Sequence, residues 1–334
     1  MALIPLRLRV DDPSGVAPAR RAAERLAEDV GLGEQARGEV AIVVTELATN
    51  LLRHAGGGEI ILRRSPVAAG AVDAVAWDRG PGLGDVVRSL RDGFSTAGGA
   101  GNGLGAIGRL SSTFDLQSTP GAGSVLVARM GVAAQPPPDV DGLTLALAGE
   151  DACGDAWGHA VDGAVVTVLL ADGLGHGPEA SRAAVAAVRE LRGDLAPEVL
   201  LERMHDALRP TRGAAAAIAR LDRASGALRF AGIGNIAAAI VHGDGARSLS
   251  SMNGTLGHRV ARVQAYDYEV PPGGLVVLHS DGLHTGWDLA AHPGLQRRDP
   301  LVIASLLIRD GERARDDVGV VVARRPRKDE DDGR

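Results

Sequence analysis

Lysine is almost missing from this 334-residue chain: the one lysine, Lys328, lies in a charge-rich tail, and the remaining basic charge is arginine. A Walker A loop and a eukaryotic-type protein kinase both set a lysine on the nucleotide phosphates, so neither can operate here. Any ATP site must use backbone amides, a metal and arginine instead. Cysteine is as scarce, and the single Cys153 excludes an intramolecular disulfide and a thiolate zinc cage, in agreement with a reducing compartment. Aromatic residues are 2% of the chain, so its cores have to be built from Val, Leu, Ile and Ala. No uninterrupted apolar run is long enough to cross a bilayer, and Met1 to Val10 has no signal-peptide pattern, which sets the expectation of a cytoplasmic protein without a membrane partner. A net charge of −6 argues against nucleic acid as a partner.

What is present is enough apolar residue, 45%, for more than one core, and the length makes two domains the first expectation. Residues Ala133 to Val140 read Ala-Ala-Gln-Pro-Pro-Pro-Asp-Val, a semi-rigid spacer that cannot pair in a central strand. The expected division is 1–132, a linker at 133–141, a second domain at 142–324 and a tail at 325–334 that is too charged to pack. In the first part the periodicity predicts a strand at Leu3 to Val10, helices at Pro18 to Val30 and Gly38 to Ala55, and strands at Glu59 to Arg64, Val72 to Trp77, Thr113 to Ser118 and Ser124 to Met130. Beyond the spacer, runs of strands with helices grouped between them, at Pro178 to Arg192, Pro197 to Leu208 and Leu301 to Arg309, predict a layered α+β architecture.

Glu46, Asn50 and His54 fall at i, i+4 and i+8 of the second predicted helix, so they line one stripe. A solvated polar face would show the same spacing, and His54 could merely cap the helix C-terminus. Two further features point to a ligand. Asp78 ends a strand and is followed by Gly80-Pro81-Gly82, where a carboxylate can accept from an exocyclic amine while bare backbone admits a purine. Gly101, Gly103 and Gly105 then precede a short helix expected from Ala106, a cradle of unpaired amides for phosphates.

In this order the three boxes resemble the N, first-glycine and second-glycine boxes of the GHKL ATPase superfamily, and Thr45 to Asn50 is similar to its anti-sigma-factor and switch-kinase branch, the RsbT/RsbW type. The resemblance covers about Leu3 to Met130. It implies a GHKL-type α/β sandwich in which Asn50 holds Mg²⁺, Asp78 binds the adenine amine of ATP and Glu46 is the base that activates a substrate hydroxyl. The implied activity is serine/threonine kinase on a small protein antagonist, commonly a STAS-domain partner. Antagonists of this branch self-associate, so a homodimer is admitted.

The second part carries four aspartates at expected strand ends: Asp155, Asp172, Asp281 and Asp316. The run Leu169 to Gly177 stops on Asp172 and three glycines. Each acid alone could mark only a turn. Hard divalent cations need several converging carboxylates, and no set of histidines or cysteines competes for them. Together these elements, with Gly232 to Asn235, resemble the metal-dependent PPM phosphatases of the SpoIIE/RsbX branch over about Leu143 to Arg324. The resemblance implies a PPM-type αββα sandwich in which Asp155 and Asp172 bridge two Mn²⁺ or Mg²⁺ ions. The Gly173 carbonyl adds a ligand, and Asp281 and Asp316 complete one metal. Asp317 is the alternative to Asp316. The second acid that often follows shortly after the first is missing beside Asp155. His176 is expected to pack its turn or to support the site from behind its ligands rather than act as a general acid, and Asn235 is expected to fix a turn rather than meet substrate.

The joint expectation is a bifunctional regulator of protein phosphorylation in an anti-sigma/STAS partner-switching pathway. Two rivals stay open. In one, the first domain binds nucleotide and partner without transferring phosphate and gates the phosphatase. In the other, both sites are dead and only partner contacts matter.

Overall fold

The computed structural model describes residues 4–83, 103–134 and 138–327. The chain divides into two compact units, with the break between Pro138 and Asp139.

The first unit is one antiparallel sheet with helices on it. Its strands are β1 (Leu6–Val10), β2 (Gly58–Arg64), β3 (Val72–Trp77), β4 (Thr113–Ser118) and β5 (Ser124–Met130), in the order β1-β2-β3-β5-β4. The helices are α1 (Val16–Val30), α2 (Glu34–Asn50) and α3 (Gly103–Leu110). Ala19, Ala22, Ala23, Leu26 and Ala27 of α1 recur at helical spacing and are buried together with Val40, Val43, Val44 and Leu47 of α2. These stripes share one core with Ile60, Leu62, Ala74, Ala76, Leu126 and Ala128, the alternate residues of the central strands. Helix α1 ends at Gly31, whose φ of 89° lets the Leu32 amide turn back to the Ala27 carbonyl.

The expected continuous helix to Ala55 does not hold. Helix α2 stops at Asn50, and Leu51–Ala55 form a π turn closed by the Gly57 amide on the Leu51 carbonyl. A π turn takes more residues per revolution than an α turn, so it carries His54 off the Glu46–Asn50 stripe. His54 is exposed.

The second unit stacks two five-stranded antiparallel sheets. One runs β15 (Ala265–Glu269), β10 (Ala227–Ile233), β9 (Ala214–Asp222), β8 (Val165–Gly173), β7 (Asp155–Asp162). The other runs β12 (Gly245–Ser248), β11 (Ala237–His242), β16 (Leu275–His279), β17 (Val318–Arg324), β6 (Val140–Leu145). A two-stranded ribbon, β13 (Gly254–Thr255) and β14 (Arg259–Val260), is attached. Val166, Val168 and Leu170 point into the layer between the sheets with Phe230, Ile240, Leu278 and Val321. Leu169 and Ala171, on the opposite side of β8, pack with Ala184, Leu201 and Met204 of α4 (Pro178–Arg189) and α5 (Pro197–Ala207). Helix α6 (Pro300–Gly311) packs on β17 and β6. Strand β8 is apolar without alternation because both of its faces are covered. The result is the helix–sheet–sheet–helix sandwich the sequence led one to expect.

Strand β6 starts at Val140, inside the segment expected to be spacer, and pairs with β17 at the sheet edge. Strands β12 and β15 were not foreseen: β12 is exposed throughout, and at β15 only Tyr266 and Tyr268 hint at alternation. Among the described residues no helix is long and apolar enough to cross a membrane.

In the first unit the carboxylate of Asp73 is buried at the centre of the sheet between two guanidinium groups. Asp73 on β3 is flanked across the strands by Arg63 of β2 and Arg129 of β5. Its Oδ2 accepts from Arg63 Nε at 3.0 Å and Nη2 at 2.9 Å, and its Oδ1 accepts from Arg129 Nε at 2.6 Å. All three side chains are buried. Removing the centre of such a triad strands two guanidinium charges, at a cost of about 3–5 kcal/mol. Asp73→Ala is therefore expected to lower the urea midpoint reported by Trp77 fluorescence by an amount in that range. A midpoint within about 1 kcal/mol of the parent would count against this reading of the triad.

Candidate functional site

Four acids lie at one end of the second unit's sandwich. Asp155 opens β7 and stands opposite Asp172 near the end of β8, so the two carboxylates are direct cross-strand neighbours. Asp281 follows β16, and Asp316 precedes β17. Both strands belong to the other sheet, so the acids come from both layers.

Burial is the main reason that Asp155 holds its proton well above the ordinary carboxylate range, and the charge on Asp172 adds to it. Asp172 is pushed up to about 7, first by burial and then by the charges of Asp281 and Asp316. Asp155 Oδ2 accepts from Ser280 Oγ at 2.6 Å, but Oδ1 is buried with no hydrogen-bond partner. A buried orphan oxygen amid like charges is an energetic fault unless a cation arrives, and all-oxygen donors suit a hard divalent ion. The residues therefore fit such a metal in donor type and charge. Among the described residues, however, no three His, Cys, Asp or Glu side chains are gathered tightly enough to hold a metal ion as they stand.

Asp316 and Asp317 are separated by what they touch. Asp317 is buried, with Oδ1 accepting from the Leu147 amide and Oδ2 from the Gly154 amide, both at 2.8 Å. Both of its oxygens are thus spent on tying β17 to the segment before Asp155. Burial raises its pKa, although those two amides pull the other way.

Three participants were not foreseen as such. The Asn235 amide donates to Asp281 Oδ2 at 2.7 Å and also bonds Asp172, which lowers the latter's pKa. Besides its place in the turn between β10 and β11, Asn235 thus reaches carboxylates from the two sheets. Ser280 accepts from the Gly319 amide at 2.9 Å while it donates to Asp155. Glu150 Oε1 lies 2.6 Å from His176 Nδ1, so His176 is held by a carboxylate rather than packed into its turn. Only the neighbourhood of Ser280 to Asp281 signalled any of this in sequence. Cys153, one residue from Gly154, is buried, and burial raises its thiol pKa well above the usual value, so it is inert.

In the first unit, Asp78 follows β3 and is buried, with Oδ1 accepting from the Gly80 amide at 2.8 Å. A Cβ on Gly80 would meet Ala55 Cβ at 2.7 Å, and one on Gly82, whose φ is 71°, would meet the Thr119 carbonyl oxygen at 2.5 Å. Glycine is needed at both for the loop to close on the sheet. Glu46 and Asn50 do stand together, since the Cβ position of Gly103 is 3.0 Å from Glu46 Oε2 and 3.4 Å from Asn50 Oδ1. Asn50 Nδ2 is buried with no partner among the described residues, a donor suited to a phosphate or nucleotide oxygen. Gly103 and Gly105 lie within α3 rather than ahead of a helix starting at Ala106. Gly101 lies outside the described residues, as do Lys328 and the tail beyond Arg327.

The histidine kinase-like ATPase domain model matches residues 10–130, and the Stage II sporulation protein E (SpoIIE) model matches residues 162–326. The chain is 32% identical over 114 residues to the serine/threonine-protein kinase RsbT of Bacillus subtilis (strain 168), a match spanning 34% of this chain and 86% of RsbT. It is 26% identical over 149 residues to the phosphoserine phosphatase RsbX of the same organism, across 43% of this chain and 73% of RsbX. A chain from the structure described as "The bacterial stressosome: a modular system that has been adapted to control secondary messenger signaling" superimposes with a TM-score of 0.51 at 34% identity, covering 55% of this chain and 98% of that one.

The raised carboxyl pKa values make stability depend on pH when no cation is bound. Asp155 and Asp172 keep their protons in the native state at pH values where the unfolded chain has lost them. The native state then binds more protons than the unfolded state, so stability falls as pH rises from the ordinary carboxylate range towards about 7. In EDTA, the urea midpoint reported by Trp157 and Trp287 fluorescence should decline across that window, and Asp172→Asn should flatten the decline. A level midpoint in the parent protein would contradict the assignment.

Proposed function

We propose, for a chain that belongs to the histidine kinase-like ATPase family through residues 10–130 and carries a SpoIIE domain over residues 162–326, that its two units run opposed reactions on protein serine or threonine. The second unit is a metal-dependent phosphatase, and the first is an RsbT-like ATP-binding kinase. The observation that carries the phosphatase reading is the adjacent Asp155–Asp172 pair: Asp155 is buried and short of one hydrogen-bond partner among the described residues, Asp172 is half-buried, and both hold protons that a cation would displace.

Asp155, Asp172, the Gly173 carbonyl, Asp281 and Asp316 are the residues that would hold two Mn²⁺ or Mg²⁺ ions, and such ions supply a Lewis acid for the phosphoryl oxygens and a water acidic enough to attack phosphorus. The chain's part is to present these oxygens deprotonated and oriented. Ser280 fixes one oxygen of Asp155, and Asn235 holds Asp281 and Asp172 in a common arrangement. Asp317, committed to two amides, anchors the loops and leaves the ligand role to Asp316. Water adds to phosphorus, the seryl or threonyl oxygen leaves as the alcohol, and inorganic phosphate is released.

In the first unit, Asp78 would accept from the adenine amine, Asn50 would hold Mg²⁺ with the triphosphate, and Glu46 would take the proton of the incoming hydroxyl. Gly80, Gly82, Gly101, Gly103 and Gly105 would bring backbone amides to the nucleotide. His54, exposed beyond the π turn, has no part in this reading. The partner that fits both reactions is a STAS-domain antagonist or an anti-sigma-type protein of a cytoplasmic partner-switching system.

Two measurements test the halves separately. With Mn²⁺ and a STAS-domain protein phosphorylated on serine, the full chain should release phosphate, and Asp172→Asn should slow release by about 100-fold or more, because a lost bridging ligand removes the activated water. Equal rates would sink the metal assignment. With radiolabelled ATP, label should pass to the unphosphorylated partner and be lost in Glu46→Ala while ATP binding persists. Binding without transfer in the parent protein would leave the first unit as a nucleotide-dependent docking module.

A further inference from the structure

We propose that Arg212 grips the phosphate of the substrate at the acidic centre of the second unit. The proposal rests on the phosphatase reading and names a residue that reading leaves out. Phosphate esters are dianionic near neutral pH, and four carboxylates repel them except where cations intervene. A fixed positive side chain at the rim would complement the phosphate oxygens that the metal-binding carboxylates cannot serve.

The chain builds such a rim just before β9. Ala214 is paired with Gly173 and Ala215 with Asp172, so the turn ahead of β9 lies at the same strand ends as the acids. That turn is fixed on several sides. The Leu174 amide donates to the Gly213 carbonyl at 3.0 Å, and His258 Nε2 donates to the Arg212 carbonyl at 2.8 Å. Thr211 Oγ1 donates to the Leu208 carbonyl at 2.7 Å and accepts from the Gly213 amide at 3.0 Å. Gly213 has a φ of 81°, and a Cβ there would stand 2.5 Å from the Leu256 carbonyl oxygen, so the turn cannot easily re-form with another residue.

From this rigid base the Arg212 side chain reaches over the catalytic loop. Its Nη1 is 3.5 Å from the place a Cβ on Gly175 would occupy, three residues beyond Asp172. The side chain is exposed, and it has no hydrogen bond or ion pair among the described residues. Three other arginines of this unit are engaged, Arg223 with Asp139, Arg229 with Glu198 and Asp267, and Arg313 with His284, whereas Arg315, beside Asp316, is exposed and like Arg212 has no side-chain partner among the described residues. A guanidinium fork unpaired among the described residues, over the loop that follows Asp172, is poised for a planar pair of phosphate oxygens. Leu174, an exposed apolar side chain whose amide makes the bond to Gly213, flanks the same approach and offers an apolar contact to the substrate chain.

The test uses the full chain with Mn²⁺, a phosphoserine peptide and para-nitrophenyl phosphate as substrates, and inorganic phosphate as inhibitor and as titrant in calorimetry. For Arg212→Ala, KM for both substrates and the phosphate inhibition constant should rise about tenfold or more, with kcat within about threefold of the parent and calorimetric phosphate binding weakened in parallel. Arg212→Lys, which keeps the charge without the fork, should recover part of the loss. An unchanged KM and unchanged phosphate binding in Arg212→Ala would overturn the proposal. So would a loss of kcat alone, which would mark a structural role, or the same KM effect in Arg315→Ala but not in Arg212→Ala. Absence of phosphate release from the parent protein would instead overturn the phosphatase reading, and this proposal with it.

Discussion

Two carboxylates facing each other across adjacent strands are the constraint on which the second unit depends. Asp155, buried, and Asp172, half-buried, are direct neighbours in the β7–β8 pairing, in a position where like charges destabilise a sheet. Among the described residues neither makes an ion pair. The surrounding bonds orient rather than compensate: Ser280 to Asp155, Asn235 to Asp281 and Asp172, and Asp317 to the two amides that fix the preceding segment. A fold that keeps this repulsion, with neutral donors around it and an apolar sandwich below, leaves a place whose charge and donor type suit a hard cation.

The first unit supplies the control. It also buries a carboxylate at the centre of a sheet, but Asp73 sits between two guanidiniums and every approach is charge-assisted. That arrangement is closed, and it serves the sheet. Burial alone therefore does not mark a reactive acid in this chain. The distinction lies in whether the protein brings its own counter-charge, which it does for Asp73 and does not for Asp155. The Asn50 amide belongs with Asp155 on this scale, a buried polar group with no partner among the described residues.

Much of the architecture was legible because both faces of the central strands are covered. The unbroken apolar run of β8 and the alternation of the first unit's strands leave few foldings, and the four acids announce themselves by following or preceding such runs. What was not legible depends on side chains meeting across long separations. Asn235 reaches Asp281 over 46 residues and Ser280 reaches Asp155 over 125, and neither link has a local signature. The choice between Asp316 and Asp317 was open for the same reason, since both share one sequence environment and only the amides of Leu147 and Gly154 tell them apart. The π turn after Asn50 was missed because the sequence Leu51–Ala55 is compatible with continued α-helix; only the glycines after it hint that the helix must end.

Glycine does as much as aspartate to define the acidic centre. A Cβ on Gly173 would lie 2.0 Å from the Ala180 carbonyl oxygen, and one on Gly282 would lie 2.0 Å from the Asp317 carbonyl oxygen. These contacts are backbone against backbone, which no rotamer change can relieve. Each of these glycines directly follows a candidate ligand, Asp172 or Asp281, so the close approach that brings the acids to one end of the sandwich is written beside the acids themselves. An Asp-Gly pair is ordinarily the mark of a turn, and here it has a second reason to exist. The small residue lets elements of the sandwich close to backbone contact, and the acid beside it is drawn with them to one end of the sandwich.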